Sequence, residues 1–145
     1  MKVLIVDDAV TFRKLLNMAL QSIGFTDLSE AGSAEEARGI LQGSITIDLI
    51  ISDWHMPGET GLDLLRWVRA SPALKATPFL MLTTEQERTH ILEAARVGLQ
   101  GYIFKPVQKQ VLLQKLTELN LLPQGNPSVA EPTPPVVEQA PAAQD

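Results

Sequence analysis

Five short apolar runs, each closed by polar residues and each separated from the next by a longer stretch, constrain this chain more than any other feature. Val3–Val6, Leu28–Ala31, Asp48–Ser52, Pro78–Leu82 and Gly101–Phe104 have strand length. The most apolar of them suit strands buried on both faces, whereas Leu28–Ala31, with Ser29 and Glu30 inside it, reads as a weak second strand. The intervening stretches have helical period. Val10, Leu15, Leu16, Ala19, Leu20 and Ile23 recur along Val10–Ile23, and Gly24 stops that helix. Ser33 and Glu36 match a capping box that opens a helix to about Leu41. Further helices are expected over Gly61–Ala70, about Glu87–Val97 and Val107–Leu119, with a turn at Pro57-Gly58. Strands alternating with helices in this way imply an α/β fold, a doubly wound parallel sheet covered on both faces.

The chain has 145 residues, enough for one domain with a real core. Its character changes at Pro123. Residues 123–145 hold six of the ten prolines, together with Ala, Gln and three acids, and contain no run able to bury a face. We therefore expect an ordered domain over residues 1–122 and a Pro/Ala-rich disordered tail or linker over 123–145, with a Pro-rich docking peptide as the other reading of that segment.

A net charge of -5 with no basic patch argues against direct nucleic-acid binding. The absence of Cys excludes a disulfide scaffold and a thiolate metal site. The four apolar residues before Asp7 are too few for a signal peptide, and no apolar stretch is long enough to span a bilayer. A soluble, cytoplasmic protein is the expectation.

Chemistry enters at the strand ends. Asp7 and Asp8 follow the first strand, Asp53 the third, Thr83 and Thr84 the fourth, and Lys105 the fifth. In an open parallel sheet these positions share the carboxyl edge, where ligands bind. Each residue alone has an ordinary explanation: a helix cap, a turn, a solvated lysine, a strand-end hydroxyl. Their convergence on one edge does not follow from those explanations. Carboxylates ~5 Å apart repel by roughly 3 kcal/mol per pair at an effective dielectric of ~20. A divalent cation with oxygen ligands, Mg²⁺ above all, removes that repulsion. A metal-bound carboxylate beside a Lys and a Thr suits a phosphate, and a carboxylate can itself become an aspartyl phosphate.

Four segments, Val3–Asp8, Ile51–Pro57, Met81–Glu85 and Gly101–Pro106, stand in the order and spacing of a known family. The chain resembles the receiver domain of two-component response regulators over about Lys2–Leu119, and is most similar to single-domain chemotaxis-type (CheY-like) receivers. The resemblance implies a flavodoxin-like (βα)5 fold with strand order 2-1-3-4-5. It implies phosphorylation of Asp53 by a sensor histidine kinase or a histidine phosphotransfer protein. Mg²⁺ would be held by Asp7, Asp8, Asp53 and the His55 backbone carbonyl. Lys105 would contact the phosphoryl group, and Thr83 would move toward it while Tyr102 changes rotamer. The Lys105–Pro106 bond would be cis. Such a phosphoprotein is not a conventional enzyme; it catalyses only its own aspartyl phosphorylation and autodephosphorylation. The signal would leave through a target protein on the face formed by the fourth helix, fifth strand and fifth helix, from a monomer or a phosphorylation-dependent dimer. His55 stands where chemotaxis types usually carry Asn, whereas Glu85 agrees with them. Both positions flank the path of the hydrolytic water, so His55 and Glu85 are expected to tune the lifetime of the phosphoryl group. Trp54 would report metal or phosphate by fluorescence, while Trp67, Met18, Met56 and Met81 read as packing residues.

Three other functions fit the sequence less well. A haloacid-dehalogenase-type phosphatase needs Asp-x-Asp after the first strand, and Ala9 fills the second place. A flavin module needs a hydroxyl- or Gly-rich loop where Asp7-Asp8 stands. A non-switching interaction domain would have lost the acids or the Lys. No output domain follows within these residues, so a stand-alone regulator is expected, with the receiver half of a longer protein as the alternative.

Overall fold

The computed structural model describes residues 1–84 and 89–123. Its elements alternate throughout: β1 (Lys2–Val6), α1 (Val10–Ile23), β2 (Asp27–Ala31), α2 (Ala34–Leu41), β3 (Leu49–Asp53), α3 (Gly61–Ala70), β4 (Phe79–Thr83), α4 (Ile91–Val97), β5 (Gly101–Phe104) and α5 (Lys109–Glu118). All four strand pairs are parallel, and the sheet order is β2-β1-β3-β4-β5, as expected. β1 sits second in the sheet, so the chain turns to opposite sides after β1, toward β2, and after β3, toward β4. This reversal opens a crevice between β1 and β3 at their carboxyl ends.

Successive strand residues point to opposite faces, and the core divides accordingly. Leu4, Val6, Ile50 and Met81 pack against α2, α3 and α4 through Ala37, Leu64, Leu65, Val68 and Ala94. Val3, Ile5, Ile51, Leu80 and Leu82 pack on the other side, against α1 and α5 through Leu16, Leu20, Leu112 and Leu116. Burying such a side chain stabilises by about 1.5–3 kcal/mol. The central strands are therefore rigid walls from which polar strand ends project.

Several boundaries differ from the sequence expectation for physical reasons. β3 and β4 each run one residue later, so Asp53 and Thr83 end their strands rather than follow them. Asp48 lies before β3, where its carboxylate accepts from the Lys2 N–H at 2.8 Å and its own N–H donates to the Lys2 carbonyl. The Ser33 hydroxyl accepts from the Glu36 N–H at 3.0 Å, but the returning Glu36 carboxylate takes the Gly32 N–H instead of that of Ser33. α4 begins at Ile91; the expected start at Glu87 lies outside the described residues, as does the tail from Gln124. α1 leaves Val10, Leu15 and Met18 exposed. Met18 is thus not a core residue, whereas Met56 and Met81 are buried and Trp67 packs against the core.

No described helix is long and apolar enough to cross a membrane.

Candidate functional site

The carboxyl edge of the sheet gathers the residues that its strand ends deliver. Asp7 follows β1 and is fully buried, while Asp8 beside it is exposed. Asp53 ends β3 with 6 % exposure, and Thr83 ends β4 fully buried. Lys105 follows β5, tied by its backbone N–H to the Thr83 carbonyl at 2.7 Å, and the next peptide bond, Lys105–Pro106, is cis. One ligand oxygen from each of Asp7, Asp8 and Asp53 lies within 4.8 Å of the others.

The Lys105 ammonium bridges the cluster. Its Nζ is 2.8 Å from Asp53 Oδ1 and 3.7 Å from Asp7 Oδ2. Below it lies the Phe12 ring, 4.4 Å from Nζ to the centroid, so a cation–π contact also restrains it. Burial pushes the Asp53 carboxyl above the ordinary aspartate value; Lys105 opposes this and Asp7 reinforces it. One ammonium does not neutralise three acids. Asp7 Oδ1 accepts from the Ala9 N–H at 2.9 Å, but Asp7 Oδ2 is buried without a hydrogen bond. A buried carboxylate oxygen left unsatisfied is expensive. An all-oxygen, net-negative donor set with such an oxygen fits a hard divalent cation.

Three further residues hold this geometry and were not singled out from sequence. Arg13 Nη1 donates to the Asp7 carbonyl at 2.6 Å, and its Nε to Glu30 on β2 at 2.7 Å. Burial raises the Glu30 carboxyl, but hydrogen bonds from Arg13, Lys14 and Asn17 outweigh it and hold the group below its ordinary value. Gly61 opens α3 with its N–H on the Trp54 carbonyl at 2.8 Å. A Cβ there would stand 2.3 Å from the Asp53 carbonyl oxygen and 2.7 Å from Met81 Sδ, so only glycine fits behind Asp53. The spacing of Arg13, one turn into the helix after the acidic pair, was the available signal; the Gly61 contact is tertiary and left none.

Of the remaining expected residues, two lie among the described ones. His55 is exposed, two residues past Asp53. Tyr102 is 38 % exposed on β5, with its ring edge-on to Phe104 and Lys115 Nζ 5.9 Å from its centroid. Glu85 lies outside the described residues.

Comparison with known proteins agrees with this construction. Residues 3–117 match the family model described as the response regulator receiver domain. The chain is 44% identical over 119 residues to the chemotaxis protein CheY of Pseudomonas aeruginosa, covering 82% of this chain and 95% of that one. It is 41% identical to CheY-3 of Vibrio cholerae, covering 82% and 91%. Among solved structures, CheY4 of Vibrio cholerae superposes with a TM-score of 0.74 at 36% identity, covering 81% of this chain and 97% of that one. A receiver protein from Pseudomonas putida gives 0.73 at 33%, covering 81% and 95%.

Proposed function

The chain belongs to the response regulator receiver family, and from that premise we propose that it takes a phosphoryl group on Asp53 and signals through the surface this modification alters. The observation that carries the reading is the placement of Lys105 Nζ on Asp53 Oδ1, beside two further carboxylates at one sheet edge. In the transfer, an Asp53 carboxylate oxygen forms an O–P bond as the N–P bond of a phosphohistidine donor breaks, and the leaving imidazole takes up a proton. Asp7, Asp8, Asp53 and the His55 carbonyl are the proposed Mg²⁺ ligands; the ion, when bound, neutralises phosphoryl oxygens. Asp7 Oδ2, buried without a hydrogen bond, supports that assignment.

Lys105 already faces the acceptor and needs little motion to meet an incoming oxygen. This is the positioning and charge neutralisation on which phosphoryl transfer depends. Thr83, buried at the end of β4, supplies a hydroxyl on the adjoining strand. Phosphorylation adds up to about two negative charges. The new acceptor oxygens draw Thr83 inward, and Tyr102, exposed on β5, follows into the space. The surface of α4, β5 and α5 then shifts in population, which a target protein can read. The phosphodonor is a sensor histidine kinase or a histidine phosphotransfer protein, the compartment is the cytoplasm, and residues 1–122 form the receiver unit.

His55 and Glu85 are proposed to set the phosphoryl lifetime. His55→Asn is expected to change the rate of phosphoryl loss, and an unchanged rate removes that role. The main reading is tested by incubating the protein with acetyl phosphate, with and without Mg²⁺, and measuring intact mass beside Asp53→Ala. A Mg²⁺-dependent gain of one phosphoryl group, absent from the variant, is expected. A folded wild type that gains nothing contradicts the proposal.

A further inference from the structure

α4 is short and weakly buried. It runs only from Ile91 to Val97, and Ala94 is its one buried residue. Leu92 is 68 % exposed. Within α4 only Ala94 and, in part, Val97 pack on the core, so apolar burial leaves the start of the helix unheld and specific contacts must help to set its position. Two of them act in its middle and at its end. Glu93 pairs with Arg66 of α3, and Arg69 Nε donates to the Gly98 carbonyl at 2.8 Å. A third acts at its beginning, where the His90 ring stacks on Trp54 with centroids 5.7 Å apart and planes 22° from parallel.

His90 occupies the N-cap of α4 but makes no side-chain cap hydrogen bond. Histidine is also not among the preferred capping residues. Its stacked imidazole is the contact that distinguishes it. The partner ring is well chosen for transmission. Trp54 follows Asp53 directly, and its indole is 4 % exposed. Its backbone is held from two sides, the N–H on the Leu82 carbonyl of β4 at 3.0 Å and the carbonyl on the Gly61 N–H of α3 at 2.8 Å. Trp54 cannot shift without moving with the end of β3. The ring pair thus ties the start of α4 to the residue after Asp53, by a route separate from Thr83 and the chain that follows it.

We propose that His90 is a positioning residue: its stack on Trp54 fixes the start of α4 and carries the state of Asp53 to that helix. The inference rests on Asp53 being the phosphoacceptor. Aromatic pairs of this kind are worth a factor of about 2–10 in an equilibrium beyond their area burial. Losing the stack should therefore loosen α4 by a comparable factor and weaken its response to phosphorylation, while the acceptor chemistry persists.

The test measures amide hydrogen exchange over residues 91–97 in the full chain, in wild type, His90→Ala and His90→Phe, before and after acetyl phosphate with Mg²⁺. Intact mass is recorded in parallel. His90 is exposed, and peptides from β1 and β3 report whether each variant stays folded. We expect equal phosphoryl gain in all three proteins. In His90→Ala, unmodified α4 exchanges about 2–10-fold faster than in wild type, and its change on phosphorylation shrinks. His90→Phe, which keeps a ring to stack, restores both. Phosphoryl gain together with an α4 response in His90→Ala equal to that of wild type overturns the tether and leaves the acceptor reading intact. Failure of His90→Phe to restore the response also overturns it. No phosphoryl gain in wild type overturns the acceptor reading, and the tether with it.

Discussion

At the scale of single residues, Gly61 is the most exacting position near the candidate site. Its neighbours leave a Cβ only 2.3 Å from the Asp53 carbonyl oxygen. Backbone cannot yield as a flexible side chain does, so Gly61→Ala must push α3 away from the end of β3. We expect a loss of roughly 1–3 kcal/mol in urea unfolding, the usual range for overpacking, with slower phosphorylation by acetyl phosphate. A variant as stable and as reactive as wild type would show that the end of β3 is not held this tightly. The residues gathered at the candidate site were legible in the sequence because strand ends are few and polar: Asp7, Asp8, Asp53, Thr83 and Lys105 are where apolar runs stop. Gly61 and His90 were not legible in the same way. Their roles come from contacts between segments far apart in sequence, which no local pattern encodes.

At the scale of elements, legibility followed the strength of the local signals. α1 and α3 match expectation from end to end. Gly24, at φ +126°, stops the first. Thr60 and Asp63 form a full capping box at the start of the second. β3 and β4 slipped by one residue because ladder pairing, not the apolar run, decides where a strand ends. The exposure of Leu15 and Met18 was not predictable from helical period, which gives the direction of a stripe but not its width. The junction of α3, α4 and β4 depends on Arg69, whose guanidinium also reaches the Thr77 carbonyl at 2.7 Å and Gln100 Oε1 at 2.7 Å. Arg69→Ala strands the Gly98 and Thr77 carbonyls, while Gln100 Oε1 keeps the Phe79 N–H, and we expect a loss of about 1–3 kcal/mol in urea unfolding. A loss within ~0.5 kcal/mol, the range of an ordinary surface substitution, would mean that α4 is held by other means.

At the scale of the whole molecule, stability and the candidate site oppose each other. Burial raises the Asp53 pKa, with Lys105 only partly offsetting it. A raised carboxyl group contributes stability that is fully present below its unfolded pKa and is lost as pH rises through its folded pKa. The metal-free protein is therefore strained by Asp53 at neutral pH. Glu30 runs the other way: its lowered pKa gives stability that is present above its unfolded value and lost as pH falls through its folded one. Mg²⁺ should raise the melting temperature at pH 7, with stabilisation reaching about 2.7 kcal/mol at a hundredfold excess over Kd. That gain should shrink as pH falls through the raised pKa of Asp53, where protons compete for the same carboxylate, and should vanish in a combined Asp7→Asn and Asp8→Asn variant. Equal melting with and without Mg²⁺ in wild type would remove the metal from the account.

The central claim concerns a covalent bond at one residue, and reductive trapping addresses it most directly. The protein is treated with acetyl phosphate and Mg²⁺, quenched with borohydride, which converts an aspartyl phosphate to homoserine, and mapped by peptide mass spectrometry. The account predicts homoserine at position 53 and at no other aspartate, dependent on Mg²⁺. Homoserine at Asp7 or Asp8, or none at all in folded protein, would contradict it.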